Sequence, residues 1–204
     1  MRWTVPRDWV GETAFIICGG PSVAHVDLTR LRGQRVVAVN SSYQIYPDAD
    51  CLVFTDIRWW GKYKPVFRGQ IITITPKHKL YHKRILVLDR QRSSGLSNDP
   101  TRLTCWHTSL VTAINLVALR GVSRIGVLGL DGKDTDGRSW HHAPHPWKQS
   151  RQRYEFHGEA LKELVAPLAD MRVQVFNLNP HSAHVMFLFA SLDDLLSARQ
   201  EAAA

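Results

Sequence analysis

The sequence has no apolar run approaching the ~20 residues that cross a bilayer as a helix, and this argues against a helical membrane protein. The first residues carry Arg2, Arg7, Asp8 and Glu12 with no apolar segment before them, so no secretory leader is expected. Cysteine is scarce: Cys18, Cys51 and Cys105 are odd in number and far apart. That spacing excludes a disulfide framework and a Cys-x-x-Cys zinc site, and fits reduced thiols in a cytoplasm. Neither Gly-x-Gly-x-x-Gly nor Gly-Lys-Ser/Thr follows an apolar run, so the dinucleotide fingerprint and the P-loop are both absent. Acidic side chains are the minority, 18 against 26 Lys and Arg, leaving a net charge of +8 with His neutral. A positive balance of this kind favours an anionic substrate or a polyanionic partner. Hydrophobic residues make up 44% and charged residues 22%, the composition of a globular chain with a sizeable core.

What is present is organised around 14–23, AFIICGGPSV. Phe15, Ile16 and Ile17 form a short buried-strand pattern that Cys18 extends, and Gly19-Gly20-Pro21-Ser22 breaks it. Strand, glycine turn and helix start, with Ser22 placed to cap free N–H groups, is an arrangement that receives phosphate. The same four residues also make an ordinary tight turn.

Further short apolar runs follow at 35–40, 51–55, 71–75, 85–88, 124–128 and 173–176. The first two and the run at 124–128 stop at Asn40-Ser41-Ser42, Asp56 and Gly129-Leu130-Asp131-Gly132. Residues 108–119 have helical apolar spacing and Gly121 after them; 154–169 read as one helix, and Ser191 caps a last helix through 198, with 201–204 fraying. Residues 91–101, rich in Ser, Gly, Asn and Pro, read as a mobile loop, and so does 132–153. With no repeat or linker, 1–204 is read as one domain: a Rossmann-like α/β fold with a mostly parallel sheet and helices on both faces. The strand ends then gather Gly19, Gly20, Ser22, Asn40, Ser41, Asp56, Gly129, Asp131, Asn179 and Ser182 along one edge. Such an edge suits a nucleotide.

Basic residues cluster at 58–92 (Arg58, Lys62, Lys64, Arg68, Lys77, Lys79, Lys83, Arg84) and at 148–153. Trp59, Trp60, Tyr63, Phe67 and Tyr81 interleave with the first cluster. Cations among aromatics track phosphates and stack bases in nucleic-acid binders, and are equally an ordinary surface with half-buried rings. Asp134-Thr135-Asp136 is a D-x-D that could hold Mn²⁺ or Mg²⁺ on a donor diphosphate, and is also a common turn.

Four segments, AFIICGGPSV, VVAVNSSY, HTSLVTAINLVALRGVSRIGVLGLDG and VFNLNPHS, resemble the family-42 sialyltransferases and the wider DUF115 group. That group includes the archaeal 6-hydroxymethylpterin diphosphokinases and short phage-encoded relatives. The resemblance implies a nucleotide-dependent transferase whose donor contacts Gly19, Gly20, Pro21, Ser22, Asn40, Ser109, Gly129, Asp131 and Ser182. The sialyltransferases carry tyrosines after their G-x-D strand end, and this chain has Gly132-Lys133 there. Their histidine base implies one of His141, His142, His145 and His157, with His157 and His142 first and Asp131 beside them. The leading expectation is a glycosyltransferase that moves a sugar from a nucleotide-activated donor to a hydroxyl of an anionic acceptor, hydroxylated bases in DNA among the candidates. The alternatives are an ATP- and Mg²⁺-dependent diphosphokinase acting on a hydroxymethyl compound, and a non-catalytic nucleic-acid-binding module.

Overall fold

The computed structural model describes residues 3–76, 84–147, 150 and 152–202. Lys77, Lys79, Tyr81 and Lys83 of the first basic cluster, Lys148 of the second, and the chain end at 203–204 lie outside the described residues.

Each apolar run becomes a strand. In chain order the strands are β1 (Thr13–Ile17), β2 (Arg35–Val39), β3 (Cys51–Phe54), β4 (Gln70–Thr73), β5 (Ile85–Val87), β6 (Asp89–Gln91), β7 (Arg102–Thr104), β8 (Arg124–Leu128), β9 (Gln174–Asn177) and β10 (Leu188–Phe189). Eight of them form one sheet in the order β10-β9-β8-β1-β2-β3-β4-β5, and every neighbouring pair is parallel. β6 and β7 form a separate parallel pair.

The helices are α1 (Ile57–Tyr63), α2 (Ser109–Leu119), α3 (Arg153–Lys162), α4 (Val165–Asp170) and α5 (Leu192–Ala202). Side chains alternate across β1: Ala14 and Ile16 join one core with α2, α3 and α4, while Phe15 and Ile17 join a second with α1 and α5. Both faces of the sheet are therefore covered, which is why its strands read as continuous apolar runs. α2 is buried on every side from Ser109 to Ala118. The expected single helix over 154–169 is two, because Pro167 has no N–H for the carbonyl of Glu163 and its ring crowds that carbonyl. Ser191 does cap α5: its hydroxyl accepts from the N–H of Asp194 (3.2 Å), and the Asp194 carboxylate accepts from the N–H of Ser191 (2.8 Å).

Trp59, Trp60 and Phe67 are not a stacking surface. They are 1%, 7% and 5% exposed and pack in the second core, with Phe54 stacked on Trp60 at 5.0 Å. The helical turn of α1 sends the rings inward and leaves Arg58 and Lys62 outside. The segment 91–101 is pinned by Asn115, which is fully buried on α2. Its Oδ1 accepts from the N–H groups of Ser97 (3.1 Å) and Thr104 (2.9 Å), and its Nδ2 donates to the carbonyl of Ser97 (2.9 Å).

Candidate functional site at the strand ends

Chain order along the sheet reverses between β1 and β8, and open parallel sheets hold ligands beyond the carboxyl ends at such a switch point. The turns after these two strands touch. The N–H of Gly20 donates to the carbonyl of Gly129 (3.0 Å), and a Cβ on Gly20 would lie 2.4 Å from that oxygen. Gly129 itself has φ +71°, a conformation open to glycine.

Asp131 braces this junction. It is 3% exposed, and its carboxylate accepts from the N–H of Ser22 (2.9 Å), the Ser22 hydroxyl and Asn179 Nδ2 (3.0 Å). This corrects the expected phosphate cradle. Pro21–His25 is a single 3₁₀ turn with Gly20 as its N-cap residue, so Ser22 lies inside it and caps nothing. The N–H groups of Gly20 and Ser22 are committed within the protein.

Several other expected contacts are also turned elsewhere. Ser41 is 1% exposed and accepts from Trp59 Nε1 (3.0 Å). Ser109 shares a hydrogen bond with Thr55 (2.7 Å), and Asp56 caps α1 and pairs with Arg58 at 2.7 Å. Asn179 holds Asp131 with its amide nitrogen and the N–H of His181 with its oxygen (3.0 Å). The Ser182 hydroxyl donates to the Asp131 carbonyl (3.3 Å) and accepts from the N–H of His184 (3.0 Å).

Between these braces and the segment after β8 lies a crevice of about 150 Å³. Of the expected residues it brings together Gly19, Gly20, Asn40, Gly129, Asp131, His142, His145 and His157. Asn40, in the left-handed region at φ +50°, has a buried Oδ1 with no hydrogen-bond partner among the described residues. The crevice adds residues that sequence reasoning missed: Thr108, Trp140, Tyr154 and His184 among them. The signal for His184 was its place two residues after the Pro-x-Ser that follows β9. Cys18, at the crevice wall, is a buried thiol whose pKa is driven up by burial and by Asp131, so it stays protonated.

The segment after β8 is laid across the strand ends. The N–H of His141 donates to the carbonyl of Gly19 (2.9 Å), and its Nε2 meets the Ser42 hydroxyl at 3.2 Å. His142 Nδ1 is 2.8 Å from the carbonyl of Ala143 and must donate to it, which leaves the Nε2 lone pair free on the side facing Gly19. His145 stacks on Trp147 at 4.8 Å and meets the Tyr63 hydroxyl at 3.4 Å. Burial pushes His141, His145 and His157 down to about 4, so all three are neutral at pH 7.

The D-x-D is a tight hairpin. Thr135 and Arg138 exchange both backbone hydrogen bonds at 2.9 Å, with Asp136 and Gly137 at positive φ in its tip. Asp134 Oδ1 accepts from Tyr154 (2.6 Å), Ser139 (2.7 Å) and Arg153 (3.0 Å), and the Tyr154 and Ser139 hydroxyls, with Arg153 behind them, hold its carboxyl below the usual range. Asp134 thus ties the hairpin to α3, and no cluster of three metal-ligating side chains exists among the described residues. The donor set expected at Asp134 and Asp136 does not fit a metal ion.

The architecture is that of a doubly wound α/β protein with its crevice at the switch point. The fold is similar to that of the sialyltransferase CstII from Campylobacter jejuni, solved in complex with a substrate analogue, cytidine-5'-monophosphate. The match has a TM-score of 0.56 at 10% identity and covers 89% of this chain and 86% of that one, a likeness of fold. No family model and no curated protein matches the chain. No helix among the described residues is long and apolar enough to cross a membrane.

Proposed function

We propose that the chain is a glycosyltransferase that takes a sugar from a nucleotide-activated donor. The observation that carries this reading is the buried Oδ1 of Asn40 in the crevice at the switch point, which has no partner among the described residues. A buried carbonyl oxygen without a donor is costly, and the exocyclic amino group of a cytosine or adenine supplies one. The similarity in fold to a protein solved with cytidine-5'-monophosphate supports the same assignment.

His142 is the proposed base. Its tautomer leaves Nε2 able to take a proton, and burial keeps the ring neutral. The acceptor oxygen bonds to the anomeric carbon as the bond from that carbon to the donor phosphate breaks, and the hydroxyl proton passes to Nε2. The crevice, at about 150 Å³, is smaller than the ~300–1,000 Å³ of pockets that bury ligands of this size. We propose that the segment 132–147 moves aside to admit the donor. The net charge of +8 supports an anionic acceptor, with a hydroxylated base in DNA the candidate to assay first.

The test is a thermal-shift series with CMP, UDP, GDP, ADP and ATP, each with and without Mn²⁺ or Mg²⁺. Saturating a site at a hundredfold excess over Kd stabilises the fold by roughly 2.7 kcal/mol. Stabilisation by CMP or by one nucleoside diphosphate, followed by turnover of the corresponding nucleotide sugar, is the expected result. Stabilisation by ATP with Mg²⁺ alone would replace the reading with a diphosphokinase, and no shift with any of them would sink it.

A further inference from the structure

His184 is held in a place built for its ring. After β9 its N–H donates to the Ser182 hydroxyl (3.0 Å) and its carbonyl accepts from Asn177 Nδ2 (3.3 Å), so the backbone is fixed on both sides. The ring then passes between two glycines. A Cβ on Gly132 would lie 2.7 Å from ring carbon Cδ2, and a Cβ on Gly158 would lie 3.3 Å from Cε1 and Nδ1. A side chain on Gly132 would close this slot, and one on Gly158 would crowd it. The residue is 8% exposed and lines the crevice, yet neither ring nitrogen has a hydrogen-bond partner among the described residues. His157, beside Gly158 on α3, lines the same crevice.

The charge around them is one-sided. Among the described residues Asp131 is the one carboxylate lining the crevice, and its oxygens are taken by Ser22 and Asn179. Lys133 lines it too, and Arg153, Lys162 and His107 act on the pair from α3 and from the turn before α2. The Tyr154 hydroxyl is engaged with Asp134. A buried and a half-buried imidazole, among cations and with the Asp131 oxygens already taken, suit an anion.

We propose that His157 and His184 are the phosphate-binding pair of this crevice, holding the donor's phosphate that the committed N–H groups of the glycine turn cannot hold. That the phosphate belongs to a nucleotide rests on the preceding reading; that the pair takes a tetrahedral anion rests on the geometry. Both rings are kept neutral by their surroundings, His157 by burial, His184, Arg153 and His107, and His184 by burial and Lys162. A bound dianion reverses that balance, so binding draws protons onto the pair and weakens as the pH rises.

The test uses the full chain with ¹⁵N-labelled histidine, the two rings assigned through His157→Gln and His184→Gln, and inorganic sulfate as a probe that does not itself titrate between pH 6 and 8. Sulfate is expected to move both ring resonances, to bind about tenfold more weakly at pH 8 than at pH 6, and to lose this dependence in either variant. The titration of the unsubstituted protein decides the matter even if a variant fails to fold: ring resonances that sulfate leaves in place overturn the proposal. Sulfate binding by the pair with no stabilisation by any nucleotide would support the anion site while sinking the nucleotide reading. Nucleotide stabilisation with both rings unmoved would do the reverse.

Discussion

Asp131 and Ser22, 109 positions apart, are joined twice: one carboxylate accepts both the N–H and the hydroxyl of one serine. The pair fastens the turn after β1 to the end of β8, and Asn179 ties the end of β9 to the same carboxylate. Replacing Asp131 by Asn keeps the shape and sets an amide N–H₂ against donors. The expected loss is about 2–4 kcal/mol, since hydrogen bonds to a charged group are worth roughly 1.5–3 kcal/mol and a stranded donor adds its own cost. Ser22→Ala removes only the hydroxyl bond and should cost about 1.5 kcal/mol, the low end of that range, because the carboxylate keeps its other two donors. Urea denaturation of the two variants measures both, and the opposite order would show that the brace is carried by something other than Asp131.

Asn115 makes the second prediction. It satisfies three backbone groups of 97 and 104 from the middle of a fully buried helix. Asn115→Ala strands all three, at roughly 1–3 kcal/mol for each buried unsatisfied group, so a loss of at least about 3 kcal/mol is expected. The same variant should open 91–101 to limited proteolysis, an effect that a simple core cavity would not produce.

The strands were legible because a parallel sheet covered on both faces leaves continuous apolar runs, and the run at 124–128 matches β8 at both ends. α1 was hidden, because Arg58, Lys62 and Lys64 around two tryptophans give the composition of a nucleic-acid surface. Only the fold separates an inward ring from an outward charge seven residues from end to end. The crevice was legible as a place, since every strand ends on one edge and Gly19, Asn40, Gly129 and His142 do meet there. Which side chains face it was not. Ser41 and Asn179 sit at strand ends as expected and Ser109 opens α2, yet each turns to a partner distant in sequence that no local pattern names: Trp59, Asp131 and Thr55. His184 escaped for the converse reason, because its slot is made by two glycines on other elements.

His142→Gln should separate binding from chemistry. Glutamine keeps a polar group near Gly19 but takes no proton, so transfer to the acceptor should fall by about 10²–10⁴-fold. Stabilisation by the nucleotide should be nearly unchanged. The pair of measurements is diagnostic: equal losses in both would make His142 a binding residue and leave the base to be found elsewhere.

The buried histidines fix how stability responds to acid. In the folded protein His141, His145 and His157 are pulled from the ordinary 6.5 to about 4, with burial the largest cause in each. For His141 and His145 the neighbouring His142 adds to it; for His157, His184 does. Between pH 6.5 and 4 the unfolded chain therefore binds more protons than the folded one, and stability rises with pH in that window. Lowering the pH from 7.5 should leave Tm level until about 6.5 and then reduce it steadily to about 4. The carboxylates behave in the same direction but later. Asp56, Asp134 and Asp194 are held below 3.8 in the folded state, so their contribution is lost only as the pH falls through that value and beyond. A scan from pH 7.5 to 4.5 thus isolates the histidines. A double variant His141→Gln, His145→Gln should show a visibly flatter Tm profile in this window than the unsubstituted protein. A profile of unchanged slope would mean that these two rings are already protonated, and hence solvated, at pH 5, and that the segment after β8 does not rest on the strand ends in solution.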